Sequence, residues 1–239
     1  MQTIINQILP KMKKLILSLL CISLLSSCSI NFGRSVNILS FSSKAYDNAP
    51  KKEIKVKNFN SITNEGPLQI YYAYADKPAV VLEGDTALFN KVQTKQKGSN
   101  LTISMQPGTY HNLWLRITVY SNDIKEINQT GSGDIICKTL KLRHDLDLNE
   151  VGSGDIRINQ LICDELDAEV CGSGSIYINN IKANEADLNI IGSGSTEING
   201  SITKVDADVT GSGSIYGNLS YQKIKENKTG SGNINLSKN

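Results

Sequence analysis

The chain has few of the residues from which catalytic and metal centres are usually built. Its 239 residues include two histidines, five cysteines and one tryptophan, and aromatic residues make up 6% of the composition. Neither His111 nor His144 stands near a nucleophile motif, and Asp145, beside His144, would face the opposite side of a strand. No two cysteines have the CxxC spacing that supports a metal site. These shortages argue against an enzyme and predict no bound metal.

An excess of charge of one sign is also missing. The chain carries 25 basic and 23 acidic residues, a formal net charge of +2. No basic patch indicates a nucleic-acid partner. Beyond residue 28, no hydrophobic segment is long enough to cross a membrane as a helix. The composition therefore excludes nucleic-acid binding.

One hydrophobic run stands near the amino terminus. Three lysines precede the apolar residues 15–25, and two serines then lead into Cys28. A short basic segment, a short apolar core and a small-residue cleavage site are typical of a secretion signal. The ending Leu-Ser-Ser-Cys resembles the lipobox of bacterial lipoproteins, which implies cleavage after residue 27 and acylation of Cys28. An ordinary signal peptide, with Cys28 incidental, is the alternative.

These patterns divide the chain into three parts. Residues 1–27 are the lipoprotein signal peptide, 28–50 the lipidated Cys28 and a tether, and 51–239 the folded domain. The tether is rich in Ser and Asn, which is typical of a flexible spacer, although Ile38 and Phe41 indicate that part of it docks on the domain. The lipid bilayer is therefore an expected partner through acylated Cys28, and the expected location is the cell envelope, lipid-anchored to a bacterial membrane.

A Gly-Ser-Gly triplet recurs with a regular spacing of 19–21 residues. Its six copies begin at Gly131, Gly152, Gly172, Gly192, Gly211 and Gly230. Such a period is typical of stacked coils, each covering only its neighbours. Glycine at the corner between two strands permits positive φ and a close approach of neighbouring backbones.

Alternation of apolar and polar residues places a strand on each side of every triplet. The fourth residue after each first glycine is aliphatic in all copies but one: Ile135, Ile156, Ile176, Thr196, Ile215 and Ile234. Because successive repeats are equivalent, their strands should pair in parallel about 4.8 Å apart. Residues 131–239 are therefore predicted to form a parallel β-helix, a solenoid of about 20-residue coils. One row of side chains is expected to form an amide ladder along the stack: Lys138, Asn159, Asn179, Asn199, Asn218 and Ser237.

Residues 51–130 show strands in a less regular register. Short turns between runs of about six residues favour antiparallel pairs, and one helical turn is expected at 86–90. The predicted strands are 53–59, 68–74, 79–83, 92–97, 101–105 and 113–120. The fold class is thus all-β, with a strand-rich amino-terminal part (51–130) continuing into the β-helix.

This layout is similar to a known bacterial family. The opening Val56-Lys-Asn-Phe-Asn-Ser-Ile62, the strand ending in Glu-Gly84-Asp, the Leu101-Thr-Ile-Ser segment and the Gly-Ser-Gly-Asp-Ile repeats resemble DUF2807, described as a "putative auto-transporter adhesin, head GIN domain". The resemblance covers about residues 51–239. It implies adhesion and a Bacteroidetes-like origin, and it brings no agreed catalytic residues.

Acidic residues form an outward row on the predicted coils. The row consists of Asp147, Asp167, Asp187 and Asp206, and beside it stand Asn149, Glu169, Asn189 and Asp208. Carboxylates about 5 Å apart repel one another unless water, salt or a cation screens them. Oxygen-rich clusters suit Ca²⁺. The alternative, which we favour, is a solvated face that discourages lateral association of the sheet.

Two tyrosines are candidates for exposed contacts. Tyr177 and Tyr216 stand between inward-facing isoleucines and should point outward. Among the cysteines, Cys137 occupies an inward position and is expected to be a buried hydrophobe, whereas a Cys163–Cys171 bridge is left open.

Three classes of function remain. The favoured one is non-catalytic binding or surface interaction, with a glycan or a surface protein as partner. The alternatives are carbohydrate processing on a β-helix face and a purely structural envelope component. An asymmetric groove with two carboxylates beside aromatic residues would favour the enzyme.

Overall fold

The structure is a computed structural model, and it describes residues 36–38, 42 and 44–238. These residues form nineteen strands and one 3-10 turn, η1 (Thr86–Leu88). The strands are β1 (Val36–Ile38), β2 (Lys51–Lys55), β3 (Ser61–Glu65), β4 (Gln69–Tyr74), β5 (Ala79–Gly84), β6 (Val92–Lys97), β7 (Asn100–Met105), β8 (Gly108–Tyr110), β9 (Leu115–Ser121), β10 (Glu126–Gly131), β11 (Asp134–Lys141), β12 (Leu146–Gly152), β13 (Asp155–Ile162), β14 (Glu165–Gly172), β15 (Ser175–Gly192), β16 (Ser195–Gly211), β17 (Ser214–Ser220), β18 (Lys223–Gly230) and β19 (Asn233–Lys238). The predicted signal peptide, the acylated Cys28 and residues 29–35 of the tether lie outside the described residues.

The six Gly-Ser-Gly coils stack in parallel, which confirms the predicted β-helix. Each first glycine pairs with the first glycine of the next coil, from Gly131 through to Gly230. The strands that follow the triplets pair in the same order, beginning with Ile135 opposite Ile156. Like residues therefore lie above one another along the stack.

The glycine corner has two separate physical causes. Gly152 has a φ of +137°, where L side chains are strained. Gly154 has no such φ, but a Cβ there would meet the carbonyl oxygen of Gly133 in the coil below, well inside van der Waals contact. A Cβ at Gly152 would also meet the carbonyl oxygen of Gly131, so the first glycine is required both by its conformation and by the close approach of the coils, whereas the second is required by the close approach.

Aliphatic side chains fill the interior as continuous columns. Ile135, Ile156 and Ile176 are fully buried, and the next place is taken by Thr196, whose hydroxyl has no hydrogen-bond partner among the described residues. The column continues with Ile215 and ends at the partly buried Ile234. The buried side chains belong to one hydrophobic cluster that extends from Phe59 to Leu236. Burial of this size is the main stabilising term of the fold.

The solenoid begins earlier than the triplets indicate. β3 pairs in parallel with β10, and β4 with β11, so residues 61–74 form a coil next to the first Gly-Ser-Gly coil. Gly66, Pro67 and Leu68 stand where Gly-Ser-Gly stands in the later coils. On its other side this coil pairs in parallel with β7 and β9. The expectation of antiparallel pairing throughout 51–130 is therefore wrong for β3 and β4.

Antiparallel strands close this end of the stack. β5 pairs antiparallel with both β9 and β2, and β6 pairs antiparallel with β7. The predicted helical turn is present as η1, which Asp85 caps by accepting a hydrogen bond from the Ala87 N–H. β1 pairs in parallel with β8, so part of the predicted tether segment lies against the domain.

One irregularity changes the stacking in the middle of the solenoid. The register between β15 and β16 shifts between Ile178 and Ile181, where the repeat shortens. Asn179 donates to Asn159 at 3.2 Å, but Asn199 instead accepts from the Asn218 backbone, so the predicted amide ladder is formed over one step. For the same reason Ile202 pairs with Ala183 rather than with Ile181.

The cysteine predictions are settled by burial and bonding. Cys137 is a free, buried thiol, as the alternation predicts. Cys163 is also a free, buried thiol, so the Cys163–Cys171 bridge is not formed.

Candidate functional site

The acidic row predicted from the sequence is present on one face. Asp147, Asp167, Asp187 and Asp206 pair in consecutive coils. In the last coil Lys225 takes the next place in the row, 3.2 Å from Asp206. The parallel row that contains Glu169 ends in the same way, with Asn227 donating to Asp208 at 2.6 Å.

The electrostatics of this face are dominated by its acidic residues. Glu169 is largely buried, and burial together with nearby acids, Glu185 first, raises the pKa of Glu165. Lys204 pairs with Glu185 in the next coil. Among the residues that the structure describes, no group of three or more His, Cys, Asp or Glu side chains is placed to hold a metal ion. This agrees weakly with the favoured interpretation of a solvated face, and Ca²⁺ binding by the row stays the untested alternative.

A shallow groove lies on the outward face of the strands that follow the triplets. It encloses about 510 Å³ and crosses four consecutive coils. Its walls are Ile136, Lys138, Arg157, Asn159, Tyr177, Asn179 and Glu197. The structure thus places Tyr177, one of the two tyrosines singled out in the sequence, inside a concave site.

An aromatic and ionic row begins in this groove and continues past Glu197, its last lining residue, to Tyr216. The Arg157 guanidinium lies over the Tyr177 ring, 4.3 Å from its centroid, and is paired with Asp155. Glu197 separates Tyr177 from Tyr216 along the stack. Tyr216 is 37% exposed, one of the two large hydrophobic residues classed as exposed among those described. Two aromatic rings therefore stand two coils apart, about 10 Å.

Sequence reasoning missed a larger cleft of about 690 Å³. Its wall contains the continuous segment 139–144, and across from it lie Tyr72, Tyr74 and residues 122–124. Segment 139–144 belongs to the first Gly-Ser-Gly coil, but the residues across from it lie outside the repeat and far away in sequence, so no local pattern signals their meeting. Tyr74 is 66% exposed, the highest value for a large hydrophobic residue in the described part of the chain.

A histidine–aspartate pair forms part of this cleft. His144 Nε2 lies 2.6 Å from Asp123 Oδ1. Burial alone would lower the pKa of His144, but its bonds to the Asp145 carbonyl and to Asp123 outweigh burial and raise the pKa. The floor includes Tyr72, whose hydroxyl lies 2.8 Å from Ser121 Oγ.

A buried polar column inside the solenoid was also missed. Asn64, Gln129 and Glu150 lie one above another, each fully buried, where later coils have Val170 and Ile190. Asn64 Nδ2 donates to Gln129 Oε1 at 2.7 Å, whereas neither carboxyl oxygen of Glu150 has a hydrogen-bond partner among the described residues. Aligning the coils two residues before each triplet would have revealed this column.

Known proteins resemble this chain both in sequence and in fold. The family model described as "Putative auto-transporter adhesin, head GIN domain", DUF2807, matches residues 58–239. The fold is similar to a crystal structure of a putative adhesin from Bacteroides fragilis (24% identity, TM-score 0.61), with 82% of this chain and 98% of that chain covered. A putative adhesin from Parabacteroides merdae is similar at 18% identity and a TM-score of 0.63, with 84% and 99% covered.

A third similar structure carries a different functional name. It is a putative lipid binding protein from Parabacteroides distasonis, with 24% identity, a TM-score of 0.55, and 79% of this chain and 96% of that chain covered. The search of curated proteins gives no match. In the part of the chain that the structure describes, no helix is both long and apolar enough to span a bilayer.

Proposed function

Because the chain belongs to the DUF2807 family, we propose that it is a lipid-anchored protein of the bacterial cell envelope whose β-helix binds a glycan without catalysis. The adhesin-like family indicates a surface or envelope protein. The anchor, the ligand class and the absence of catalysis are the proposal.

The groove with Tyr177 is the observation that carries the glycan proposal. Sugar rings present an apolar face that stacks on an aromatic ring, and their hydroxyls need donors and acceptors around it. Tyr177 supplies the ring, Arg157 supplies donors, and Asn159 and Asn179 supply both donors and acceptors. The same side-chain positions recur every coil, about 4.8 Å apart, which suits a linear polysaccharide lying along the stack.

The lining of the groove supports binding rather than hydrolysis. Glycoside hydrolysis requires two carboxyl groups that flank the scissile bond. Glu197 is the carboxylate among the residues that line the groove. The acidic row lies on another face, and none of its four aspartates lines the groove.

Binding is tested with the full-length protein and a panel of immobilised bacterial and host glycans, followed by calorimetry on a glycan that binds. Tyr177→Ala and Tyr216→Ala should each weaken the affinity about tenfold or more, because each removes a stacking surface. Tyr74→Ala, an exposed tyrosine outside the groove, is the matched control and should leave the affinity unchanged. Equal affinities for all three variants would place the glycan elsewhere.

The anchor is tested separately by cell fractionation. The signal-like run before Cys28 supports acylation, and several acyl chains on one residue form a stable anchor. Cys28→Ser should move the protein from the membrane fraction to the soluble fraction, whereas Cys163→Ser, at a buried free thiol, should not. Membrane association that survives Cys28→Ser would refute the anchor and leave the glycan site untouched.

A further inference from the structure

The large cleft exists because, among the described residues, one side of the first Gly-Ser-Gly coil is only partly covered by a neighbouring strand. In the first Gly-Ser-Gly coil, β11 pairs with β13 as far as Lys141 and Ile162. On the opposite side, β11 pairs with β4 only as far as Cys137 and Tyr72, because β4 ends at Tyr74 and the chain turns away into β5. Among the described residues, no strand lies against this side of the segment 139–141.

The open side presents backbone hydrogen-bonding groups. The N–H of Leu142 points to the neighbouring coil, where it donates to the Ile162 carbonyl at 2.7 Å. Because alternate residues of a strand direct their backbone groups to opposite sides, those of Thr139 and Lys141 point toward the cleft. A sheet edge of this kind can accept an additional strand.

The cleft has room and an apolar floor for the inward side chains of such a strand. It holds about 690 Å³, and its floor includes Tyr72, Ile124 and Leu140, which are almost completely buried. Tyr74, 66% exposed, stands at the rim where it can cover a docked segment. Side chains of the added strand that point inward should therefore be apolar.

The outward side chains would meet a cationic rim. Lys141 and Arg143 both line the cleft and are exposed. Neither makes an ion pair with another described residue, whereas Asp123 is already bonded to His144. The outward positions of a docked strand should therefore be acidic.

We propose that this cleft is a docking site for an extended peptide of alternating apolar and acidic residues, which adds to the edge at residues 139–141 as a further strand. The peptide supplies backbone partners for Thr139 and Lys141, apolar side chains for the floor and carboxylates for Lys141 and Arg143. The site is separate from the groove that contains Tyr177, so its failure and that of the glycan site are distinguishable.

The test measures binding of fluorescein-labelled hexapeptides to the full-length protein by fluorescence anisotropy. The probe is Val-Glu-Val-Glu-Val-Glu, and the matched probes are Val-Lys-Val-Lys-Val-Lys and the acidic peptide with alternate backbone nitrogens methylated. The acidic probe should bind, and both matched probes should bind at least about tenfold more weakly. Absence of binding by the acidic probe at millimolar concentration, or equal binding of the methylated probe, would overturn the proposal.

Variants then place the peptide. Lys141→Glu and Tyr74→Ala should each weaken binding of the acidic probe about tenfold. Lys182→Glu is the matched control, since Lys182 is exposed two coils away in the same row of the stack. Amide exchange at residues 139 and 141 should slow when the probe binds. An unchanged affinity of Lys141→Glu, or unchanged exchange at both amides, would show that the edge is not the site.

Discussion

Glu150 stands where the interior of the next coils is aliphatic. It is fully buried, neither carboxyl oxygen makes a hydrogen bond of normal geometry with a described residue, and burial outweighs the effect of the nearby Gly154 N–H and raises its pKa to about 8. The neutral form is therefore the one that the folded state favours at neutral pH. The residue lowers the stability of the protein in a pH-dependent way.

The pH dependence has a definite sign. Below the ordinary Glu pKa of about 4.3 both the folded and the unfolded states hold the proton, and no stability is lost. As the pH rises from there to about 8, the unfolded state releases the proton first, so the free energy of unfolding falls. Glu150→Gln should remove this loss and stabilise the protein at pH 9 by roughly 4 kcal/mol, with a much smaller gain at pH 4.

Urea unfolding at pH 4, 7 and 9 measures this effect. Glu53→Gln, at an exposed carboxylate, is the control and should follow the wild type at every pH. A wild-type stability that does not decline between pH 4 and 9 would contradict the buried, neutral Glu150.

Gly174 is the glycine that lies directly against the Glu150 carboxyl group. A Cβ at Gly174 would overlap both the Gly154 carbonyl and the Glu150 carboxyl group. Gly174→Ala should therefore destabilise the protein by about 4 kcal/mol or more, because backbone must shift. Gly98→Ala has open space around it and a φ of +60°, and it should cost only about 1 kcal/mol. Thermal melting of the two variants gives the comparison, and equal shifts would refute the close-approach explanation.

At the scale of the element, the last coil ends the interior columns with charges. In inward positions of β18, Glu226 stacks on Ala207 of the preceding coil, and Lys228 stacks on Val209. Both are exposed, since no described strand covers β18 on its outer side. Inward-pointing charges on an edge strand are a known protection against strand-to-strand association.

Removing these charges should leave an apolar, unpaired strand edge that favours association between molecules. The double variant Glu226→Val/Lys228→Val continues the aliphatic columns to the end of the stack, and we expect it to self-associate through β18. Light scattering during size-exclusion chromatography measures the mass. Lys223→Val/Asn227→Val changes two outward residues of the same strand, and its measured mass should equal that of the wild type. A monomeric Glu226→Val/Lys228→Val protein would remove this role from the two charges.

At the scale of the whole molecule, the stability of each coil should depend on the coils that pack against it. Ile178 is fully buried in β15 and contacts its equivalents in the coils on both sides, Ile158 and Ile198. Ile178→Asp places a charge in the interior and should unfold the carboxyl-terminal half of the solenoid, since each coil is stabilised mainly by its neighbours.

Hydrogen exchange measured by mass spectrometry resolves this effect along the chain. Protection should be lost from β15 to β19 and kept at the other end in β3 and β4, which pair with β7 and β9, and in β7 and β9, which antiparallel strands cover. Asn179→Asp, at the exposed neighbouring residue, should leave the pattern unchanged. A loss confined to β15 would contradict cooperative stacking of the coils.

The repeat made the β-helix predictable, because its determinants are local. The period of 19–21 residues, the alternation around Ile156 and Ile176 and the glycine corners each lie within one coil and recur in the next. The acidic row and the outward direction of Tyr177 and Tyr216 follow from the same register. The signal for these features is short-range in sequence, although the pairing itself joins residues about twenty apart.

Other features depend on the path that the chain takes between distant segments, and only the tertiary structure decided them. After β4 the chain leaves the stack, forms β5 to β9, of which β7 and β9 pair with β3 and β4 of the coil 61–74, and returns at β10. This detour turns β3 and β4 into a parallel coil, leaves the edge at Thr139 uncovered and brings Tyr74 and His144 to one cleft. A periodic pattern specifies how equivalent residues stack, but it carries no information about a connection that interrupts the period.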